Sequence, residues 1–285
     1  MLSVGQKLFR TSWWTVNVLL LVSLLALAHS ATWEYSVRRY LSGFSDAIVP
    51  AGATPEERVE AILDWMRVGP PRLGGSSPTG LALRDPEKTL NYQQLLSVCG
   101  TATNAFLNLA RSSDLQVRRL LLLTPDRNTK HVVAEVLLNG RWVVVDPTYR
   151  VILRNAAGEM VTLNELKNSQ TFAEAIGRVP GYPAEYNYQN YAHVRVARLP
   201  MQGLQLRPLL DRVFPGWDEK LDWSLLLERE SFFVLSLSAF VTLMLFVLRL
   251  VLGWYADRKL KIPRFHLRAH LARAGAAFLT SPEIK

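Results

Sequence analysis

A single cysteine, Cys99, stands in 285 residues, so no disulfide forms within the chain and a disulfide-stapled scaffold is excluded. Internal repeats and low-complexity tracts are absent, which removes solenoids and fibrous arrays. There is no glycine-rich phosphate-binding loop. Acidic residues are missing from positions 1–30, where Lys7 and Arg10 are the charges. They are scarce at the other end too, where residues 231–285 carry eight Lys and Arg against Asp257 and Glu283. Between these ends, 23 basic residues face 22 acidic ones. The formal charge of +9 therefore belongs to the ends of the chain. It does not mark a basic face for nucleic acid, and no nucleic-acid partner is expected.

What the chain does have is two long apolar runs, each flanked by that positive charge. Trp13 to Ala31 is uncharged and opens on the Trp13-Trp14 pair, which suits a bilayer interface at the start of a span. Ala28-His29-Ser30 ends the run in small residues, so a cleaved signal peptide is the competing reading; the length of the run favours an uncleaved anchor. Phe232 to Tyr255 forms the second run, with Arg249 placed to snorkel toward the interface beside Trp254 and Tyr255. By the positive-inside rule both termini are cytoplasmic and the intervening domain faces outward. The expected organisation is an N-terminal transmembrane anchor over 1–31, an exported domain over 32–230, a transmembrane helix over 231–255 and a basic cytoplasmic tail over 256–285. About two hundred residues in the exported part are enough to bury a core without a structural metal.

Within that domain, Thr54-Pro55-Glu56-Glu57 combines an N-cap, a first-turn proline and a capping-box glutamate. Val59, Ile62, Leu63 and Met66 follow at helical spacing and predict one buried face. Residues 69–86, with Gly-Gly-Ser-Ser-Pro at their centre, read as a long loop, either a lid or substrate-binding rim or a plain surface loop. Ser97 is placed to cap the next helix, which puts Cys99 in its first turn, with Ala102, Phe106, Leu109 and Ala110 as its buried stripe. Val117 to Leu123 reads as a strand buried on both faces.

Asn139-Gly140 between two β-rich runs predicts a two-residue type I′ hairpin. Leu138 then faces Arg141, Asp146 falls opposite Val133, and His131 becomes the diagonal neighbour of Asp146 on one face. The opposite face carries Val132, Ala134, Val136, Val143 and Val145 and belongs in a core. The His131/Asp146 face adds Glu135, Trp142 and Val144, a mixed set expected at a site rather than at a second core.

A thiol, an imidazole and a carboxylate in this arrangement suit acyl transfer. The first turn of a helix and a neighbouring imidazolium both favour a thiolate at Cys99, and Asp146 orients His131 and favours its charged form. Attack on an amide or ester gives a thioester, which water or an amine resolves. The backbone N–H of Cys99 is the default oxyanion donor, and Gln93 is a candidate second one, with adjacent Gln94 as its rival.

Cys99-Gly100 with its helix, His131-Val132-Val133-Ala134-Glu135-Val136 and Gly140-Arg141-Trp142-Val143-Val144-Val145-Asp146-Pro147-Thr148 resemble the transglutaminase-like superfamily, and Ala61-Ile62-Leu63-Asp64-Trp65 looks like the helix that commonly precedes its core. The resemblance covers about Thr54 to Tyr149. It implies an α+β, papain-like core in which a cysteine-opened helix packs on an antiparallel sheet, here flanked by two transmembrane helices. It also implies Cys99 as nucleophile, His131 as base and Asp146 as its orienter. Many members carry an aromatic residue just after the histidine, where this chain has Val132 and Val133. The superfamily contains proteases, amidases, transamidases and inactive members, so it does not choose the reaction.

Other groups are weaker candidates. Tyr182, Tyr186, Tyr188 and Tyr191 crowd one segment, suited to packing a domain flank or to stacking on sugars. His193 is a rival base, with no acid paired to it in the sequence. His266 and His270 lie four apart but lack a third ligand, and with Arg264, Arg268 and Arg273 they read as a basic amphipathic helix on the inner leaflet. Leu209 to Arg229 reads as a helical stem into the second span. With its two spans and outward-facing domain the chain resembles a bacterial membrane-anchored member of the transglutaminase-like superfamily, which implies a two-pass protein of a cytoplasmic membrane with a periplasmic or extracytoplasmic domain; no metal or cofactor is expected. That domain acts on an envelope peptide, protein or polysaccharide, or else serves as an inactive binding subunit among partner proteins of a membrane complex.

Overall fold

A computed structural model describes residues 4–69, 85–194, 206–217, 224–261 and 276 of the chain. It divides into two compact units, residues 1–29 with 237–285 and residues 30–236. The division falls within two long helices, α1 (Val4–Ile48) and α9 (Glu230–Tyr255), the latter widening into one π-type turn over Ala256–Leu260. Both are long and apolar enough to cross a membrane, over Gly5–Ile48 and Glu230–Leu260. Leu21, Val22 and Leu25 on α1 and Phe240, Leu243 and Val251 on α9 stay exposed, an arrangement suited to lipid and costly in water. Arg249 has its partners on the first helix. Its Nε donates to Asn17 Oδ1 at 2.8 Å and its guanidinium lies over the Trp13 ring, because a charge inside an apolar stretch is held best by a polar partner.

In the second unit, α1 runs well past the apolar stretch to Ile48, and no strong helix breaker precedes Pro50. Leu41 there is fully buried, and Val37, Phe44 and Ile48 pack on the main core. α2 (Pro55–Val68) begins with the expected capping box, and Val59, Ile62, Leu63 and Met66 are buried as their spacing requires. α3 (Pro86–Asn91) and a 3-10 turn (Leu95–Ser97) lead into α4 (Cys99–Ser112). Ser97 is not the cap of α4. Val98 holds that position in extended backbone, with no side chain capping the helix, because Ser97 is taken up in the preceding turn and its Oγ donates to the Gln93 carbonyl.

β1 (Val117–Leu123), β2 (Thr129–Leu138), β3 (Arg141–Asp146), β4 (Val151–Ile152) and β5 (Tyr191–Ala192) form one antiparallel sheet in the order β4-β3-β2-β1-β5. Asn139 and Gly140 both have positive φ (49° and 77°), as a type I′ turn demands. The resulting register is the expected one, from Leu138↔Arg141 to Ala134↔Val145. α4 covers one face, where Ala102, Phe106 and Leu109 meet Ala134, Val136, Val143 and Val145.

The other face does carry a second core, against expectation. Leu120, Leu122, Val133 and Val144 pack there with Leu153, Val161, Leu166 and Tyr188. The chain beyond β4, with α5 (Leu163–Leu166) and α6 (Ser169–Ile176), supplies that cover. Glu135, on the same face as His131 and Asp146, is buried with it and pairs with Arg118 at 2.7 Å. Trp142 lies under the same guanidinium, 4.2 Å from its ring centroid. The helical stem expected over Leu209–Arg229 is interrupted: α7 (Leu206–Val213) ends in a turn at 214–216, α8 (Ser224–Glu228) precedes the second long helix, and residues 218–223 lie outside the described residues. Of the stretch 69–86 expected as a loop, residues 70–84 also lie outside them and Pro86 already begins α3; the histidine-bearing residues 262–275 lie outside them too.

Candidate active site

Cys99 occupies the first helical position of α4 and is half-buried. What brings it to the hairpin is packing one turn further along. Thr103 Oγ1 donates to the Val132 carbonyl at 3.0 Å, and the thiol packs against Leu121, Leu123, Val132 and Ala192. A register shift between Leu122 and Leu123 leaves one extra residue in β2 immediately before His131, which bends the strand where the site sits.

His131 is 2% exposed and Asp146 fully buried. His131 Nε2–H donates to Asp146 Oδ2 at 2.7 Å. The Asp-Pro-Thr-Tyr run folds back on its own carboxylate, so Asp146 Oδ1 accepts from the N–H groups of Thr148 (3.0 Å) and Tyr149 (3.3 Å). The aspartate is thus fixed on both oxygens and the imidazole takes its orientation from it. With Nε2 committed to Asp146, Nδ1 is the ring nitrogen left for the thiol.

The electrostatics follow this geometry. A hydrogen bond with His131 lowers the Cys99 pKa, and the imidazolium charge and the N–H groups of Val132 and Gly100 add to it, together outweighing burial. Burial presses the His131 pKa down, but the hydrogen bonds and charges of Asp146 and Cys99 prevail and carry it up to about 9. The two directions favour a thiolate–imidazolium pair.

Gln93, the candidate oxyanion donor, is exposed in the turn ahead of the 3-10 segment, and Gln94 stands at the cap position of that segment. His193 has the acid partner that the sequence did not reveal. Its Nε2 lies 3.7 Å from Glu135 Oε2 and its Nδ1–H donates to the Arg119 carbonyl at 2.7 Å. Both partners anchor it among buried groups of β1 and β2. Among the described residues no three His, Cys, Asp or Glu are grouped to hold a metal. A groove of about 290 Å³ between α2 and β4 is lined by Glu60, Asp64, Arg67, Arg150 and Arg154. Arg67 pairs with Asp64, Arg154 with Glu56 and Glu60, and Arg150 donates to the carbonyls of Met66 and Thr148; the groove contains no member of the constellation above.

Residues of the tyrosine-rich segment also belong to the site. Tyr186 stacks on the His131 ring, with centroids 4.2 Å apart and planes within 9°. Tyr149 and Tyr182 meet the same ring edge-on at 6.2 and 6.4 Å. Tyr188 is fully buried in the second core instead. The density of tyrosines was visible in the sequence, but nothing local assigned two of them to a histidine fifty residues away.

A cysteine at the start of a buried helix, facing a histidine–aspartate pair on an antiparallel sheet, places this unit among α+β folds of papain-like type. Residues 42–147 match the model of the transglutaminase-like superfamily, and the chain carries a domain of that superfamily over this span. No curated protein and no solved structure matches the chain.

Proposed function

We propose that this domain is a cysteine acyl-transfer enzyme acting on an amide or ester of the bacterial cell envelope. The observation that carries the reading is the unbroken line of contacts from Cys99 through His131 to Asp146. In this reaction the Cys99 thiolate adds to the substrate carbonyl carbon. The oxyanion is held by the N–H of Cys99, at a helix start that no side chain caps, with Gln93 as second donor. The His131 imidazolium gives its proton to the departing amine or alcohol, which leaves a thioester on Cys99. Water or an amine then adds to the thioester, His131 takes up its proton, and the thiolate is released, which restores the thiolate–imidazolium pair. Asp146 holds the imidazole through both steps.

The two apolar helices support a two-pass protein, and the excess of Lys and Arg at the two ends of the chain supports cytoplasmic termini with the domain on the far side of the membrane. Because Cys99 is the lone thiol, a membrane-impermeant maleimide tests this directly. Labelling in intact spheroplasts is the expected result, and labelling only after lysis reverses the orientation.

Chemistry is tested by intact-mass spectrometry of native and Cys99→Ala protein after exposure to envelope extract. An adduct carried by the native chain alone is expected. A thiol that reacts with iodoacetamide no faster than a model thiol at pH 6, together with no adduct, assigns the domain to a binding or scaffolding role instead.

A further inference from the structure

We propose that Tyr186 is a positioning residue for the Cys99–His131 pair, its ring seating the imidazole and favouring the protonated form that the thiolate needs. The inference rests on the acyl-transfer reading and adds to it a component from residues 181–188, beyond the segment that matches the superfamily.

The geometry has three parts. A ring centroid 4.2 Å above the imidazole, with planes 9° apart, is face-to-face contact, and an aromatic face attracts a cation lying on it. The same contact covers one side of the ring that carries the 2.7 Å bond to Asp146, keeping water from competing for it. Tyr182 backs the arrangement from the same segment. It meets Tyr186 edge-on at 5.9 Å, its hydroxyl reaches Asp146, and it shares a hydrogen bond of 3.0 Å with the buried Tyr188. Tyr188 anchors the segment in the second core, so Tyr186 is held in place while remaining half-buried itself.

The groups facing His131 are Cys99 from α4, Asp146 at the end of β3, Tyr149 in the turn after it, and Tyr182 and Tyr186. Cys99 and Asp146 supply charge, and Glu185 places a further carboxylate near Tyr186. A flat aromatic on the remaining face adds stabilisation of the imidazolium without a competing acceptor. The tyrosine hydroxyl plays no part in this, which separates a stacking role from a proton-transfer role.

The test follows alkylation of Cys99 by iodoacetamide across pH 4–10 in the full-length protein in detergent, for the native chain, Tyr186→Phe, Tyr186→Leu, Tyr186→Asn and His131→Ala. Tyr186→Phe keeps the stack and is expected to match the native profile. Tyr186→Leu and Tyr186→Asn are expected to raise the apparent thiol pKa by about half to one unit, slowing alkylation at pH 6 roughly three- to tenfold. Far-UV circular dichroism and the melting transition confirm folding, and the two replacements of different polarity guard against loss of one variant. An acidic native thiol that depends on His131 but is unchanged in either folded replacement overturns the Tyr186 role alone. So does a Phe variant as impaired as the Leu variant. A native thiol that titrates like a free one, with His131→Ala without effect, overturns the acyl-transfer reading together with it.

Discussion

The hydroxyl of Thr103 donates to the carbonyl of Val132 across 3.0 Å, one turn beyond Cys99 on the helix and one residue beyond His131 on the strand. It is a direct tie between the element bearing the thiol and the element bearing the imidazole. Thr103→Val keeps the shape and leaves a buried carbonyl without this donor, a loss of about 1–3 kcal/mol. The expected outcome is a lower melting temperature together with a thiol pKa moved back toward its ordinary value, read by thermal unfolding and by alkylation against pH.

Asp146→Asn removes the charge that holds His131. Substrate turnover, once a substrate is in hand, is expected to fall by about 10²–10⁴-fold. Stability against pH reports the same contact. In the native protein His131 has its pKa raised from 6.5 to about 9, so the folded state binds the proton more tightly than the unfolded chain. The stabilisation is complete below pH 6.5 and is lost as pH rises through about 9. In Asp146→Asn that decline is expected to flatten, and urea unfolding at pH 6, 7.5 and 9 measures it.

Glu228 is fully buried and pairs with Arg111, at the C-terminal end of the cysteine helix, and with Arg119 of β1 at 3.7 Å. Removing a buried partner strands the opposite charge. Glu228→Ala is expected to cost about 3–5 kcal/mol. By contrast, Arg141→Ala, which breaks an exposed pair with Glu165, is expected to cost about 0.2–1 kcal/mol. Chemical unfolding of both variants in the same detergent decides whether the contrast holds.

Gly140 has φ +77° and open space where a Cβ would stand. Gly140→Ala therefore meets no clash and pays only for the left-handed backbone, about 1 kcal/mol. A melting shift of that size with an unchanged thiol titration is expected, since the register is also set by the packed faces of the hairpin.

The hairpin shows why part of the site was legible before any fold was known. Asn139-Gly140 admits one tight turn, strand side chains alternate with a period of two, and the two rules together bring His131 beside Asp146. The capping box of Thr54 and the buried stripe of α2 were equally local. Ser97 misled because a serine before a helix has the right chemistry for a cap, while the 3-10 turn that engages it depends on how Leu95 and Leu96 bury.

The approach of Cys99 to His131 had no such local rule, and it depended on α4 docking through Thr103 and its apolar stripe. The second core over Val133 and Val144 was hidden for a related reason: its cover comes from residues 151–191, whose periodicity is weak. The same return of the chain lays Tyr186 on His131. Turn chemistry and strand alternation act between neighbours and are written in the order of the residues. The placement of a helix on a sheet, or of a tyrosine on a distant imidazole, is settled by burial shared among segments far apart in the chain, and it exists only once they pack.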